Sequence, residues 1–513
     1  MADKALEHDK KVLHNLGYAQ QLSRRMSGFS NFAISFSIIC ILAGGISAFP
    51  AAFNSAGGGG AVLVWLLGGV VAMSVAFGMG QIGSAFPTAG GLYHWSSHLG
   101  GKAWGWATAW FNLVGLICVV SSVDVLLYQV FFQGILLSTV LKVDVSKWGY
   151  WQEFAFVGVM LITQALFNHY GIKITTKLTD LSGYLIFGIS GLLIISLLVF
   201  SPVALDFSRL VTLTNYTGDA GGGVVPFHAG SMLFAFLLGL SFVLYTLTGY
   251  DASAHTSEET HDAQVNVPRG MWTSVFWSWT FGLVMVATFV LVMPNIKDAA
   301  AQGWNVFNYM FGASRMPFVL SLILALGLVV VNYICALAGL TSTSRMMFAF
   351  ARDGGLPASG FLSHVSTKYR TPTYAIWVAA GLAMLSMVYA PYYLVLAVAC
   401  AVFMYISYVM PIAAGFMAEG KTWTEKGPFN LRGWSKPNAV FGVLGGIVLA
   451  VTAFFPPNEP VFYLTIAMII VMPILWYGFV RNRFEGVPEG DKIKQRQKMI
   501  ADIESKYTDG ATD

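Results

Sequence analysis

Apolar runs of about 20 residues recur along the whole chain, and each is long enough to cross a bilayer core of roughly 30 Å. Lipid offers no partner to a bare amide or carbonyl. Every such run must therefore close its backbone bonds within itself, as a helix. Composition agrees: of 513 residues, 56% are hydrophobic and 11% charged, against about a quarter charged in soluble domains. The formal charge of +4 is too small to point to a nucleic-acid partner. The polar segment 1–28 has no cleavable-signal pattern. Cys40, Cys118, Cys335 and Cys400 all fall in apolar runs. They lack metal-ligand spacing and read as small buried residues, with no disulfide framework.

Window length and breaker position predict twelve transmembrane helices, at 29–53, 61–84, 104–136, 151–169, 178–201, 230–256, 271–293, 316–347, 373–390, 392–416, 438–456 and 460–480. The ninth and tenth nearly touch at the Ala390–Pro391 corner. The charged segment 481–513 is expected to be a cytosolic tail with a short helix. With a cytosolic N-terminus, all but five of the 29 lysines and arginines fall on the cytosolic side. The exceptions are Lys142, Lys147, Arg209, Lys297 and Arg315. The positive-inside rule places both termini in the cytosol, consistent with a plasma-membrane protein.

Two spans carry glycine interruptions in corresponding places: "ICILAGGISAFP", with Gly44 and Gly45, in the first, and "LYTLTGYDAS", with Gly249, in the sixth. Paired interruptions at equivalent positions of two halves point to a transporter's binding site. Unwound backbone survives at membrane depth only where it lines a cavity or is buried in protein. The competing reading is that the glycines serve close helix packing. Asp251 lies just past the second break, and an ionisable group in a span is a functional candidate by default. It would hold a proton or form a structural pair. Beyond it, His255, Glu258, Glu259 and His261 lack the H-E-x-x-H pattern of a zinc hydrolase. They mark the cytosolic exit of the sixth span, where they are expected to pair with basic residues of neighbouring loops.

Four stretches carry a family resemblance: "AGGI" at 43–46, "GSAFPTAGGLYHW" at 83–95, "TGYDASAHTSEET" with "NVPRG" at 248–270, and "TSTSRMMFAFARDGGLP" at 341–357. Together they resemble the amino acid–polyamine–organocation superfamily, and within it the amino acid/choline transporters that include GABA and choline permeases. The resemblance implies an all-α integral membrane protein of LeuT type. Its two inverted five-helix repeats would be 29–201 and 230–416, with peripheral helices in 438–480. It also implies roles. The Gly44 and Gly45 amides, in the stretch Ala43-Gly44-Gly45-Ile46, would meet a substrate carboxylate, and the Ile41 carbonyl would accept from an amine. Tyr245, four residues before the break glycine, would act as a gate. Asp251 stands where some relatives carry an acid linked to proton sensing.

Two departures stand out. Gln81 occupies a position usually held by Glu. Ile186 falls where proton-coupled relatives place a Lys that substitutes for sodium. Coupling then rests with H+ at Asp251, with Na+ held by hydroxyls such as Ser342 and Thr343, or with uncoupled exchange. The same hydroxyls would serve equally as interhelical hydrogen-bond donors. Among other polar residues in the spans, Asn112 is a candidate binding side chain. Asp124 would line an outer vestibule or bond between helices, and Asn332 would face the bundle interior.

The expected function is import of a small amino acid or GABA-like amine by alternating access. The substrate would sit between the first and sixth spans, with aromatic contacts from Tyr245 and Tyr250 beside Gly249. Choline is the alternative, because a quaternary ammonium favours aromatic faces. No cofactor is expected, and the sequence sets no oligomeric state. The motifs G-x-S-x-G and H-E-x-x-H and a phosphate loop are absent, which argues against an enzyme.

Overall fold

A computed structural model describes residues 2–218, 224–389, 393–456 and 458–507, and among them the protein is helical throughout. In chain order the helices are α1 (Ala2–Asn15), α2 (Gly28–Ile39), α3 (Gly44–Ser47), α4 (Phe49–Ala85), α5 (Leu92–Gly100), α6 (Lys102–Leu126) and α7 (Tyr150–His169). There follow α8 (Ile172–Val199), α9 (Met232–Gly239), α10 (Ser241–Thr246), α11 (Ala252–His255), α12 (Ala263–Val292), α13 (Ile296–Ala300) and α14 (Val306–Ala313). The remainder are α15 (Phe318–Arg352), α16 (Ser359–Leu362), α17 (Thr373–Tyr389), α18 (Tyr393–Ala418), α19 (Ser435–Thr452), α20 (Glu459–Leu475) and α21 (Asp491–Ser505). Among the described residues, nine helical stretches are long and apolar enough to cross a membrane, and Met232–Thr246 and Thr373–Val388 are shorter apolar ones.

Boundaries follow local chemistry. Ser27 caps α2 by accepting from the Ser30 amide at 3.1 Å, and Ser231 caps α9 by accepting from Phe234 at 3.2 Å. Each satisfies one of the amides that a helix start leaves unpaired. The expected helices mostly recur within a few residues, and α6 continues to Val140 in wider π-type turns. The Ala390–Pro391 corner lies outside the described residues.

The first two spans differ from expectation. In place of a loop at 54–60, the two helices that make up α4 meet directly at Gly57, whose backbone is non-helical (φ 74°, ψ −169°). The glycines there admit a strap of main chain. The Gly59 amide donates to the Thr212 carbonyl at 3.0 Å, and the Thr214 amide to Ala56 at 3.1 Å. A Cβ on Gly59 would lie 2.6 Å from the Val211 carbonyl carbon.

In the interior, α12 packs on α4 and α2, α18 on α6 and α19, and α15 on α6 and α8. The segments α2 and α11, on either side of the two interruptions, also touch each other and α15. At one end of the bundle the N-terminal segment meets α21: His14 bonds Glu504 at 2.7 Å, and the Gln20 amide donates to the same carboxylate at 2.7 Å. This is called the terminal end below.

Candidate functional site

Both interruptions are present, and the two spans touch at them. In the first, the chain leaves the helix at Cys40 (φ 29°, ψ 84°) and re-enters it at Gly44. The sequence places this break at Gly44 and Gly45, so it falls a turn earlier than expected. A positive φ is costly for a side chain other than Gly, Asn or Asp. The Ala43 and Gly44 amides close the turn by donating to the Cys40 carbonyl at 2.7 and 3.2 Å. Ile41, Ala43, Gly44, Gly45 and Ile46 are all buried here.

The glycines have a different task. A Cβ on Gly44 would sit 2.8 Å from the Thr246 Cα, so α3 lies directly on α10. One on Gly45 would press on the Met285 methyl at 2.6 Å. The packing reading describes these two residues. Gly249 needs glycine for both reasons: its φ is 95°, and a Cβ would collide with Ile38 of α2. The contacts are therefore reciprocal, with the first break resting on α10 and the second resting on α2.

The second break runs from Leu247 to Asp251, between α10 and α11. Two tyrosines of α18 bind its loose backbone. Tyr405 donates its hydroxyl to the Leu247 carbonyl at 3.0 Å, and the Tyr408 oxygen accepts from the Gly249 amide at 2.9 Å. The Tyr408 hydroxyl also donates to Asp251 Oδ1 at 2.8 Å. On the other oxygen, Asn112 of α6 donates at 3.0 Å and His255 Nε2 lies at 3.1 Å. Asp251, Asn112, His255 and Tyr408 are each fully buried. Tyr250 stacks near Tyr408, with ring centroids 4.8 Å apart, and Tyr405 lies 5.5 Å from Tyr408.

Tyr245 of α10 lies on the far side of the break from the terminal end. It lines a small cavity of about 50 Å³ with Ser47, Ala48, Ser241, Trp304 and Leu394. Ser342 and Thr343 are both buried in α15. Thr343 donates to the Leu116 carbonyl of α6 at 3.3 Å and to Gly339 at 2.8 Å. From the same helix Cys335 reaches the first break, where its thiol donates to the Ile38 carbonyl at 3.4 Å.

The acids beyond the break close the terminal end. Glu259 accepts from Arg345 Nε and Nη2 at 3.1 and 3.0 Å, and Glu258 accepts from Arg352 at 3.1 and 2.9 Å. Their partners are thus on the eighth span and not in the loops, where the sequence expectation put them. Two-pronged pairs of this kind are the strong form of charged hydrogen bond. Arg24 donates to the Ser257 carbonyl at 3.1 Å and to that of Thr260. Beside them Asp353 accepts from Tyr18 (2.7 Å), Tyr93 (3.2 Å), His94 (3.2 Å) and Arg496 of α21 (2.9 Å). Burial alone would raise this carboxyl; the bond from His94 and the charges of Arg496 and Arg352 outweigh it and hold it down at about 2.

Sequence reasoning missed Tyr405, Tyr408 and His255 as parts of the break. A signal existed for the tyrosines: two hydroxyls three apart in an apolar span each need a partner. Other candidates settle into structural ties. Asp124 accepts from Gln164 of α7 at 2.8 Å, Asn332 donates to its own helix at Leu328 at 2.8 Å, and Gln81 bonds Ser435 at 2.7 Å.

Interrupted helices packed on each other, a buried carboxylate at one break, and a bundle of membrane-length helices point to the class: a multi-pass membrane transport protein. The chain matches the family profile described as amino acid permease over residues 26–479, and it belongs to that family. It is 32% identical over 468 residues to the amino-acid permease BAT1 of Arabidopsis thaliana, spanning 88% of this chain and 89% of that one. Amino-acid permease 2 of Neurospora crassa is 26% identical over 509 residues, 94% of this chain and 89% of that one. The GABA-specific permease of Saccharomyces cerevisiae is 24% identical over 396 residues, 72% and 64% respectively. The protein is a transporter of the amino acid permease family, not an enzyme.

Proposed function

We propose that this permease is a secondary carrier that imports a small amino acid or GABA-like amine across the plasma membrane by alternating access. On this reading both termini are cytoplasmic, so the terminal end faces the cytosol. The twelve membrane helices comprise inverted repeats 29–201 and 230–416, with a peripheral pair in 438–480. Substrate binds between the two breaks. Its carboxylate meets the amides of Gly45 and Ile46, since that of Gly44 already donates to the Cys40 carbonyl, and its amine meets the Ile41 carbonyl, with Asn112 and Asp251 close by. Tyr245 guards the outer approach, and Tyr250 and Gly249 form the inner wall.

One observation carries the reading: two interrupted spans rest on each other at their breaks, with a buried acid at the second, the arrangement from which transporter binding sites are built. For coupling, H+ is favoured over Na+. The first break is covered from α15 by the Cys335 thiol, a poor ligand for a hard cation, which prefers oxygen. Ser342 and Thr343 lie deeper in the same helix.

A quaternary amine such as choline is the second reading, and the cluster of Tyr250, Tyr405 and Tyr408 favours it. Counterflow in proteoliposomes tests both. The purified chain, loaded with unlabelled GABA, alanine or choline, should accumulate the matching labelled solute in a saturable, trans-stimulated way. Accumulation of choline alone would select the second reading, and no counterflow with any amine would end both.

A further inference from the structure

The hydrogen count around His255 leads further. Its Nδ1 lies 3.1 Å from the Ala89 carbonyl oxygen, which can only accept, so Nδ1 carries a hydrogen. Its Nε2 lies 3.1 Å from Asp251 Oδ2. If the imidazole were neutral and the carboxylate ionised, two lone pairs would face each other with nothing between them. A proton must lie there, on the acid or on the ring. In either case the pair is neutral and stores one proton. Without it, a single negative charge would be left at a fully buried position, which is costly in low dielectric.

We infer that Asp251 and His255 hold the coupling proton of this carrier as a pair, with His255 as the positioning partner, and that they release it when Ala89 leaves the ring. This rests on the proton-coupled reading above. The geometry ties the pair to the closed terminal end. Ala89 offers its carbonyl to His255, and its amide donates to Glu258 Oε1 at 3.0 Å. Glu258 in turn is clamped by Arg352. Parting that seam pulls Ala89 from the ring and admits water. The shared hydrogen then leaves its O–H or N–H bond for a water molecule, giving hydronium, a bare carboxylate on Asp251 and a neutral imidazole on His255. The amine end of the substrate can leave in the same opening.

The groups facing the pair set its chemistry. From α18 come Tyr408 and Cys400, from the break itself Tyr250, and from α6 the uncharged Asn112. Toward the terminal end lie the ion pairs Glu258–Arg352 and Glu259–Arg345, with Arg24 and the His94–Asp353 pair behind them. Each nearby acid already has a base, so no free charge competes for this proton.

The test combines infrared difference spectra of the purified full chain, taken between mildly acidic and mildly alkaline pH, with the pH profile of GABA uptake into proteoliposomes. Three variants are compared with the wild type: Asp251→Asn, His255→Gln and the double variant. The double variant keeps an amide-to-amide bond in place of the pair, so it preserves the fold should a single change lose it. The expected result is one carboxyl or imidazolium band lost in all three, with loss of the pH dependence of uptake in each. Retention of the band and the profile in the double variant overturns the inference, as does their retention in His255→Gln alone. If the wild type takes up none of GABA, alanine and choline, the substrate reading fails, while the spectra still decide the pair.

Discussion

The two ends of the broken sixth span are built from opposite materials. Toward the termini it is sealed by Glu258–Arg352, Glu259–Arg345, Arg24 and the Asp353 cluster, all buried except the partly exposed Arg352 and Arg496. Away from them, Tyr245 meets a small cavity edged by alanine, leucine and hydroxyl side chains. The difference teaches something about doors. A buried ion pair gains little over two hydrated ions, because the lost hydration nearly cancels the attraction. A seam of such pairs can therefore part and let water in at modest cost. A seam of packed hydrocarbon would lose about 25 cal/mol for every Å² exposed.

Cutting one partner tests that contrast most severely. Glu259→Gln leaves the Arg345 guanidinium buried without its counter-charge, and should cost about 3–5 kcal/mol. Thermal unfolding of the detergent-purified protein would show it. A shift no larger than that of an exposed pair would mean that water already reaches Arg345.

Asp353→Asn should cost about 2 kcal/mol at neutral pH, from a carboxyl held near 2 instead of its ordinary 3.8. The sign is that of a depressed acid: the stabilisation is complete above about pH 4 and fades as pH falls toward 2. The melting difference between wild type and variant should accordingly narrow in acid. A constant gap would assign the loss to packing.

At the break, Tyr408→Phe removes the hydroxyl shared by the Gly249 amide and Asp251, and should cost about 1–3 kcal/mol together with most of the uptake. Tyr245→Ala should be the mildest for stability, about 1 kcal/mol, yet it should raise the apparent KM. Unchanged KM would move the outer approach elsewhere.

Much of this was legible in one dimension. The spans come from apolar length, which the bilayer dictates, and α7 runs from Tyr150 to His169 against an expected 151–169. The sixth-span break also comes through, because Gly249 is the residue that turns there. The first break was misplaced because the turning residue is Cys40, whose left-handed backbone has no composition signal, while the neighbouring glycines serve packing. Partner choice was the least legible. Nothing local to Glu259 names Arg345, 86 positions away, and nothing in Asp251 names Tyr408, 157 positions away. Both depend on which faces of distant helices meet.

The stitching of the N-terminal segment has a consequence of its own. The Arg25 and Met26 amides both donate to the Glu259 carbonyl at 2.8 Å, and His261 returns a bond to Met26 at 2.9 Å. Main-chain thread of this kind is blind to the side chain at Arg25, which lies exposed. A substitution there keeps these main-chain bonds unless it is proline, which has no hydrogen on its nitrogen and would drop a stitch.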